Sequence, residues 1–125
     1  MIRNAFIAKN LHNSTLIFTV WHRYPSIIQI AMHSLMQAIE SRENTYCVII
    51  NSTGVHGDAR VNQLFQDFSH PQCMMIDMPF NTGQTLASKF FFQTYIAETT
   101  LPKTVLSVDP GVLFSPDSFN YLVQA

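Results

Sequence analysis

Residues 14–21 are β-branched, aromatic and aliphatic almost throughout (Ser-Thr-Leu-Ile-Phe-Thr-Val-Trp). Such a run suits a pleated, half-buried surface and predicts a strand. The residues before it, 1–13, show no clear period and read as a loosely held lead-in with a turn of helix at most. The strand pattern breaks at His22-Arg23-Tyr24-Pro25. Pro25 disfavours helix at Tyr24 and suits the first turn of a helix beginning there. From Ser26 the period changes. Ile27, Ile28, Ala31, Leu35, Ala38 and Ile39 recur at helical spacing and form one apolar stripe. The stripe fades into the polar residues 40–44.

Residues 45–51 predict a second strand, apolar at Cys47, Val48, Ile49 and Ile50 without alternation. Continuous apolarity predicts burial on both faces, as in a parallel sheet. A loop comes next over 52–57, and Asp58 is placed to cap a helix carrying Val61, Leu64, Phe65 and Phe68. Residues 72–78 predict a third, shorter strand, and 79–83 a turn. A helix over 84–98 carries Leu86, Ala87, Phe90, Phe91 and Tyr95. Val105–Val108 reads as a buried strand that stops at Asp109-Pro110-Gly111. Ser115-Pro116-Asp117 then opens a last helix with Phe119, Tyr121, Leu122 and Val123.

Strand and helix thus alternate along the chain. That order predicts an α/β fold with a mostly parallel sheet of about four strands and helices on both faces, a Rossmann-like three-layer α/β/α arrangement. Residues 1–125 read as one domain. Right-handed crossovers bring the carboxyl ends of parallel strands to one edge. His22-Arg23, Asn51-Ser52-Thr53, the 78–83 segment and Asp109 therefore collect on one rim, where open α/β sheets bind ligands.

Composition narrows the partners. Apolar residues make up 47% of the 125, enough for a real core, and the net charge is −1 with no block of Lys or Arg. That balance argues against a protein drawn to nucleic acid or to a membrane surface by basic charge. No apolar run approaches the roughly 20 residues that span a bilayer. The first residues lack a signal-peptide core, so cytoplasmic residence is expected. Cys47 and Cys73 each sit in an apolar strand and read as buried free thiols ahead of a disulfide or a metal pair.

The rim residues suggest chemistry without completing a known motif. The chain has no phosphate loop of the Walker type and no dinucleotide glycine fingerprint. Its five histidines show no zinc-ligand spacing. His22 ends a strand, and Arg23 beside it reads either as a charge that neutralises a phosphate or as an ordinary solvated charge. Asn81-Thr82-Gly83 reads either as ordinary turn and cap chemistry or as a helix start whose amides face an anion. Lys89 on the same helix is a candidate charge partner. Asp109 reads either as a ligand-facing acid or as the first residue of a turn with Pro110 and Gly111.

The order of these short motifs resembles the opening of a GT-A glycosyltransferase of the family-2 type. The first strand leads into a helix bearing Ser34-Leu35-Met36-Gln37. Asn51-Ser52-Thr53 resembles the family's strand end in Asp-Gly-Ser. Asn81-Thr82-Gly83, with Ala87 after it, resembles its Asn-x-Gly-x-x-x-Ala helix start. Residues 105–111 resemble the strand that delivers its Asp-x-Asp motif, and 112–119 the continuation. The resemblance runs from about residue 14 onward.

The resemblance implies a nucleotide-diphosphate sugar as ligand, UDP-type favoured, and sugar transfer to an acceptor as activity. His22, Arg23, Asn51, Asn81, Gly83, Lys89 and Asp109 become the nucleotide- or substrate-binding set, with no catalytic residue assigned. The resemblance also implies Mg or Mn at Asp109. Gly111 stands where the second acid belongs, so Asp109 is the sole acid of that pair. Ser88 and Lys89 stand in place of the family's Arg-Asn. The acceptor site and base of the family lie beyond the Asp-x-Asp motif, so the resemblance covers only the nucleotide-binding half. An incomplete sheet would leave its last strand as an exposed edge, a route to self-association. Two other readings remain open: a non-catalytic nucleotide-binding module, and a flavodoxin-like or receiver-like protein-interaction domain.

Overall fold

A computed structural model describes residues 2–40, 42–54, 56–81, 83–95 and 102–108. It forms an α/β fold around a five-stranded sheet. Strand β1 is Ile2–Arg3, and a 3-10 helix over Ala5–Asn10 succeeds it. Then come β2 (Thr15–Trp21), α1 (Pro25–Ile39), β3 (Thr45–Asn51), α2 (Ala59–Asp67), β4 (Cys73–Asp77), α3 (Gly83–Tyr95) and β5 (Thr104–Ser107). Strand order across the sheet is β1-β4-β3-β2-β5. The four strands β2 to β5 are parallel, and β1 joins β4 antiparallel. The mostly parallel sheet expected from the alternating pattern is present.

The strand register sorts side chains by parity, because successive residues point to opposite faces. Ile17, Trp21, Cys47, Ile49, Cys73 and Met75 share one apolar cluster with Ile28, Met32, Leu35 and Ile39 of α1 and with Val61 and Phe65 of α2. Leu16, Phe18, Val20, Val48, Ile50, Met74 and Ile76 share a second cluster with Ile7 and Leu11, and with Ala87 and Phe91 of α3. Cys47 to Ile50 are all fully buried, as continuous apolarity predicts. Each such aliphatic side chain contributes about 1.5–3 kcal/mol when withdrawn from water.

Local signals explain the element boundaries. Asp58 caps α2, its carboxylate accepting from the Arg60 and Val61 amides at 2.9 and 3.3 Å. Tyr24 adopts φ +64° just before Pro25, a left-handed turn that delivers Pro25 to the first position of α1. The Gln72 amide donates to the Ile39 and Thr45 carbonyls at 3.0 and 2.9 Å, joining the end of α1 to the start of β3.

Several expectations fail at the margins. Residues 1–13 are not a loose lead-in. Ile2 and Arg3 pair with Ile76 and Met75, and Ile7 and Leu11 are fully buried. The Arg3 guanidinium donates to the Phe68 carbonyl at 2.8 Å and lies over the Phe65 ring, closing the carboxyl end of α2. Strand β5 is not buried. Among the described residues it is a sheet edge with β2 as its one neighbour, and Val105 is 43% exposed. Ile27, placed in the buried stripe by spacing, is half exposed, and Leu86 and Phe90 of α3 also face out. The helix expected over 84–98 spans Gly83–Tyr95 among the described residues. The last helix expected after Ser115 lies outside them.

Candidate functional site

Strands β2, β3 and β4 end in register at Trp21, Asn51 and Asp77, and the loops after them form one rim. The β3 end supplies a buried amide. Asn51 is 1% exposed and closes an otherwise apolar strand. Its Nδ2 donates to Asn62 Oδ1 of α2 at 2.6 Å and to Asp77 Oδ1 of β4 at 3.1 Å. Its Oδ1 accepts from the Thr53 amide at 3.2 Å. A buried amide that makes all these bonds ties three segments together and leaves no polar atom wanting.

The β3 and β4 loops then pack directly on each other. Gly54 has φ +82°, and a Cβ there would sit 3.1 Å from Phe80 Cα and the Asn81 amide. Only glycine meets both the left-handed backbone and that approach. Asn62 Nδ2 donates to the Gly54 carbonyl at 3.1 Å. Asn81 Oδ1 accepts from the Gly83 amide at 3.1 Å and, at longer range, from Ser52 Oγ at 3.4 Å. Asn81 thus shapes the turn into α3.

The β2 end differs. His22, Arg23 and Tyr24 are all exposed. The Arg23 guanidinium carbon lies 4.9 Å from the Tyr24 ring centroid, a cation–π pair on the surface. The His22 backbone carbonyl accepts from Thr53 Oγ1 at 3.3 Å, and the Trp21 carbonyl from the Ser52 amide at 2.8 Å. Those bonds seat the β2 turn beside the β3 loop while the His22 and Arg23 side chains face outward. On the other side of β2, the Val108 amide donates to the Phe18 carbonyl at 2.8 Å.

The structure therefore gathers His22, Arg23, Asn51, Asn81 and Gly83 at one end of the sheet. Lys89 is exposed on α3, about 9 Å along the axis from the helix start at a 1.5 Å rise per residue. Asp109, and with it Gly111, lies outside the described residues. Asp77 and Asn62 are rim residues that pattern reading misses. Their signal was available in part: Asp77, like Asn51, is the polar residue ending an apolar strand.

The described rim does not assemble a hard-cation site. Asp58 Oδ1 serves the α2 amides and Asp77 Oδ1 accepts from Asn51. Mg and Mn ask for several convergent oxygens. Among the described residues no group of three or more His, Cys, Asp or Glu side chains is placed to hold a metal ion. No helix among them is long and apolar enough to cross a membrane. No protein-family model matches the chain, and no curated protein matches it.

Proposed function

We propose that the chain binds a nucleotide-diphosphate sugar, UDP-type favoured, at the carboxyl ends of β2 and β5, as the nucleotide-binding half of a glycosyltransferase. The observation that carries this is the strand order. From β2 the chain steps outward through β3 to β4, then returns to set β5 on the other side of β2. At such a reversal the two flanking loops diverge to opposite faces and leave a crevice, the favoured ligand position of open α/β sheets. This reading takes the two apolar clusters as the outer interfaces of a Rossmann-like three-layer domain.

His22 and Arg23 flank the crevice. Arg23 suits the diphosphate, since a guanidinium meets two phosphate oxygens at once. Asp109, one residue beyond Val108, is the candidate ribose contact.

A ligand that binds only the folded state raises its stability, by about 2.7 kcal/mol at 100 times Kd. UDP-glucose and UDP-N-acetylglucosamine are therefore expected to raise the melting temperature, and Arg23→Ala to reduce that rise. No shift with any nucleotide sugar, with or without Mn, would sink the proposal.

A second reading, binding without catalysis, draws on Asn51. The GT-A resemblance sets Asn51 near an acid that usually contacts the base, whereas here the Asn51 side chain is fully engaged inside the protein. Nucleotide binding unaffected by chelator and unaccompanied by turnover would favour it.

A further inference from the structure

Cys47 and Cys73 occupy the same register position on the neighbouring strands β3 and β4. Both are fully buried, on the face covered by α1 and α2. Cys73 Sγ donates to Met36 Sδ of α1 at 3.5 Å. The neighbouring Cys73 thiol, and burial after it, push the Cys47 pKa up. The Cys73 sulfur thus touches Met36, and the sheet register sets Cys47 beside Cys73 on the neighbouring strand.

Met36 also faces the other way. It lines a cavity of about 360 Å³ between α1 and α2, along with Met32, His33, His70 and Trp21. Burial holds His70 below its usual pKa, toward the neutral imidazole. The cavity therefore offers thioether and imidazole donors leading to the buried thiols through Met36.

We propose that Cys47, Cys73 and Met36 form a site for a soft monovalent cation, Cu(I), loaded through the groove between α1 and α2. Thiolate and thioether donors select Cu(I), whereas Mg and Ca want oxygen. Structural zinc wants a fourth nitrogen or sulfur ligand. Methionine's three rotatable bonds let its sulfur turn from Cys73 toward a shared ion. On binding, Cu(I) forms two bonds to thiolate sulfur and one to the Met36 thioether. The two thiol protons go to solvent, and no electron moves. A disulfide between the two cysteines would use the same register, but it would need an oxidant and would leave Met36 without a role.

The test titrates the full chain, reduced and under anaerobic conditions, with Cu(I) held by a competing bicinchoninate chelator. The proposal expects one Cu(I) per chain, a thiolate-to-copper absorption band in the near ultraviolet, and a raised melting temperature. Met36→Leu keeps the side-chain volume and should leave the fold intact. It should weaken Cu(I) binding by at least the roughly tenfold that even an outer-shell partner is worth. Cys73→Ser should abolish uptake. Cu(I) left on the chelator by the wild-type chain overturns the proposal without any variant. Equal affinity in Met36→Leu, or uptake that lowers the melting temperature, overturns it as well and returns the three sulfurs to ordinary core packing.

Discussion

At the ends of β3 and β4 the polar side chains bond to one another; at the end of β2 they face solvent. Asn51, Asn62, Asp77 and Asn81 all find partners within the protein. His22 and Arg23, on the same rim, are exposed, and the Arg23 guanidinium lies over the ring of its neighbour Tyr24. The first half is built like core, with Asn51 and Ser52 as deeply buried as the apolar strand residues before them. The second half leaves its polar side chains to solvent. The contrast says that rim polarity alone does not mark a binding site. A side chain already bonded inside the protein is not available to a ligand, and His22 and Arg23 are not bonded in that way.

Breaking the closed half should cost the most. Asn51→Asp replaces the Nδ2 donor by an oxygen facing Asp77 Oδ1, which now stands 3.1 Å away. Two adjacent carboxylates cannot both stay ionised cheaply. We expect a loss of about 3 kcal/mol at neutral pH, the scale of breaking a buried charged contact, and about a 10 °C fall in melting temperature. The pH dependence has a definite sign. The shared site holds one carboxyl pKa above its unfolded value in this variant. Its stability is then retained below the unfolded pKa and lost as pH rises through the folded one. Thermal unfolding at pH 5 and pH 7 should therefore show the gap to wild type narrowing in acid. A variant as stable as wild type at pH 7 would mean that Asn51 does not hold the two loops together.

Gly54→Ala comes next. It sets a Cβ against Phe80 and Asn81 and keeps a left-handed backbone at φ +82°. The expected loss is about 2 kcal/mol, from strain of the kind such positions store. Asp58→Ala, which removes the α2 cap at the edge of the same loop, should cost about 1 kcal/mol. Urea denaturation measures both. If Gly54→Ala cost less than Asp58→Ala, the close approach of the two loops would be adaptable rather than fixed.

The sequence showed the closed half's parts but not their union. The apolar run 47–50 and the Asp58 cap were legible because each signal is local. The Asn51–Asp77 bond was not, since it depends on β3 lying beside β4, which only the strand order gives. The same applies to Arg3. Two residues carry no period, yet pairing with β4 brings its guanidinium to the end of α2. Helical spacing misplaced Ile27 because a stripe has a width, and the sheet covers only the part that includes Ile28, Leu35 and Ile39. His22 and Arg23 were legible as rim residues, because any parallel strand delivers its carboxyl end there. That their neighbours along the rim were already bonded was not.

The smallest effect on stability belongs to the exposed half, and that is its signature. His22→Ala and Arg23→Ala remove no bond from the interior. Arg23→Ala loses a surface cation–π contact of about 0.5 kcal/mol, and His22→Ala leaves its backbone bond to Thr53 in place. Each variant should unfold within about 0.5 kcal/mol of wild type. Both should nonetheless bind UDP-sugar more weakly, with Arg23→Ala losing about tenfold if its guanidinium contributes a charge-assisted bond to phosphate near 1.4 kcal/mol. Isothermal titration beside urea denaturation separates the two quantities. Unchanged affinity with unchanged stability would leave the β2 turn as ordinary solvated surface. Unchanged affinity in Arg23→Ala but reduced affinity in Gly54→Ala would move the ligand to the β3–β4 side and reverse the contrast between the halves.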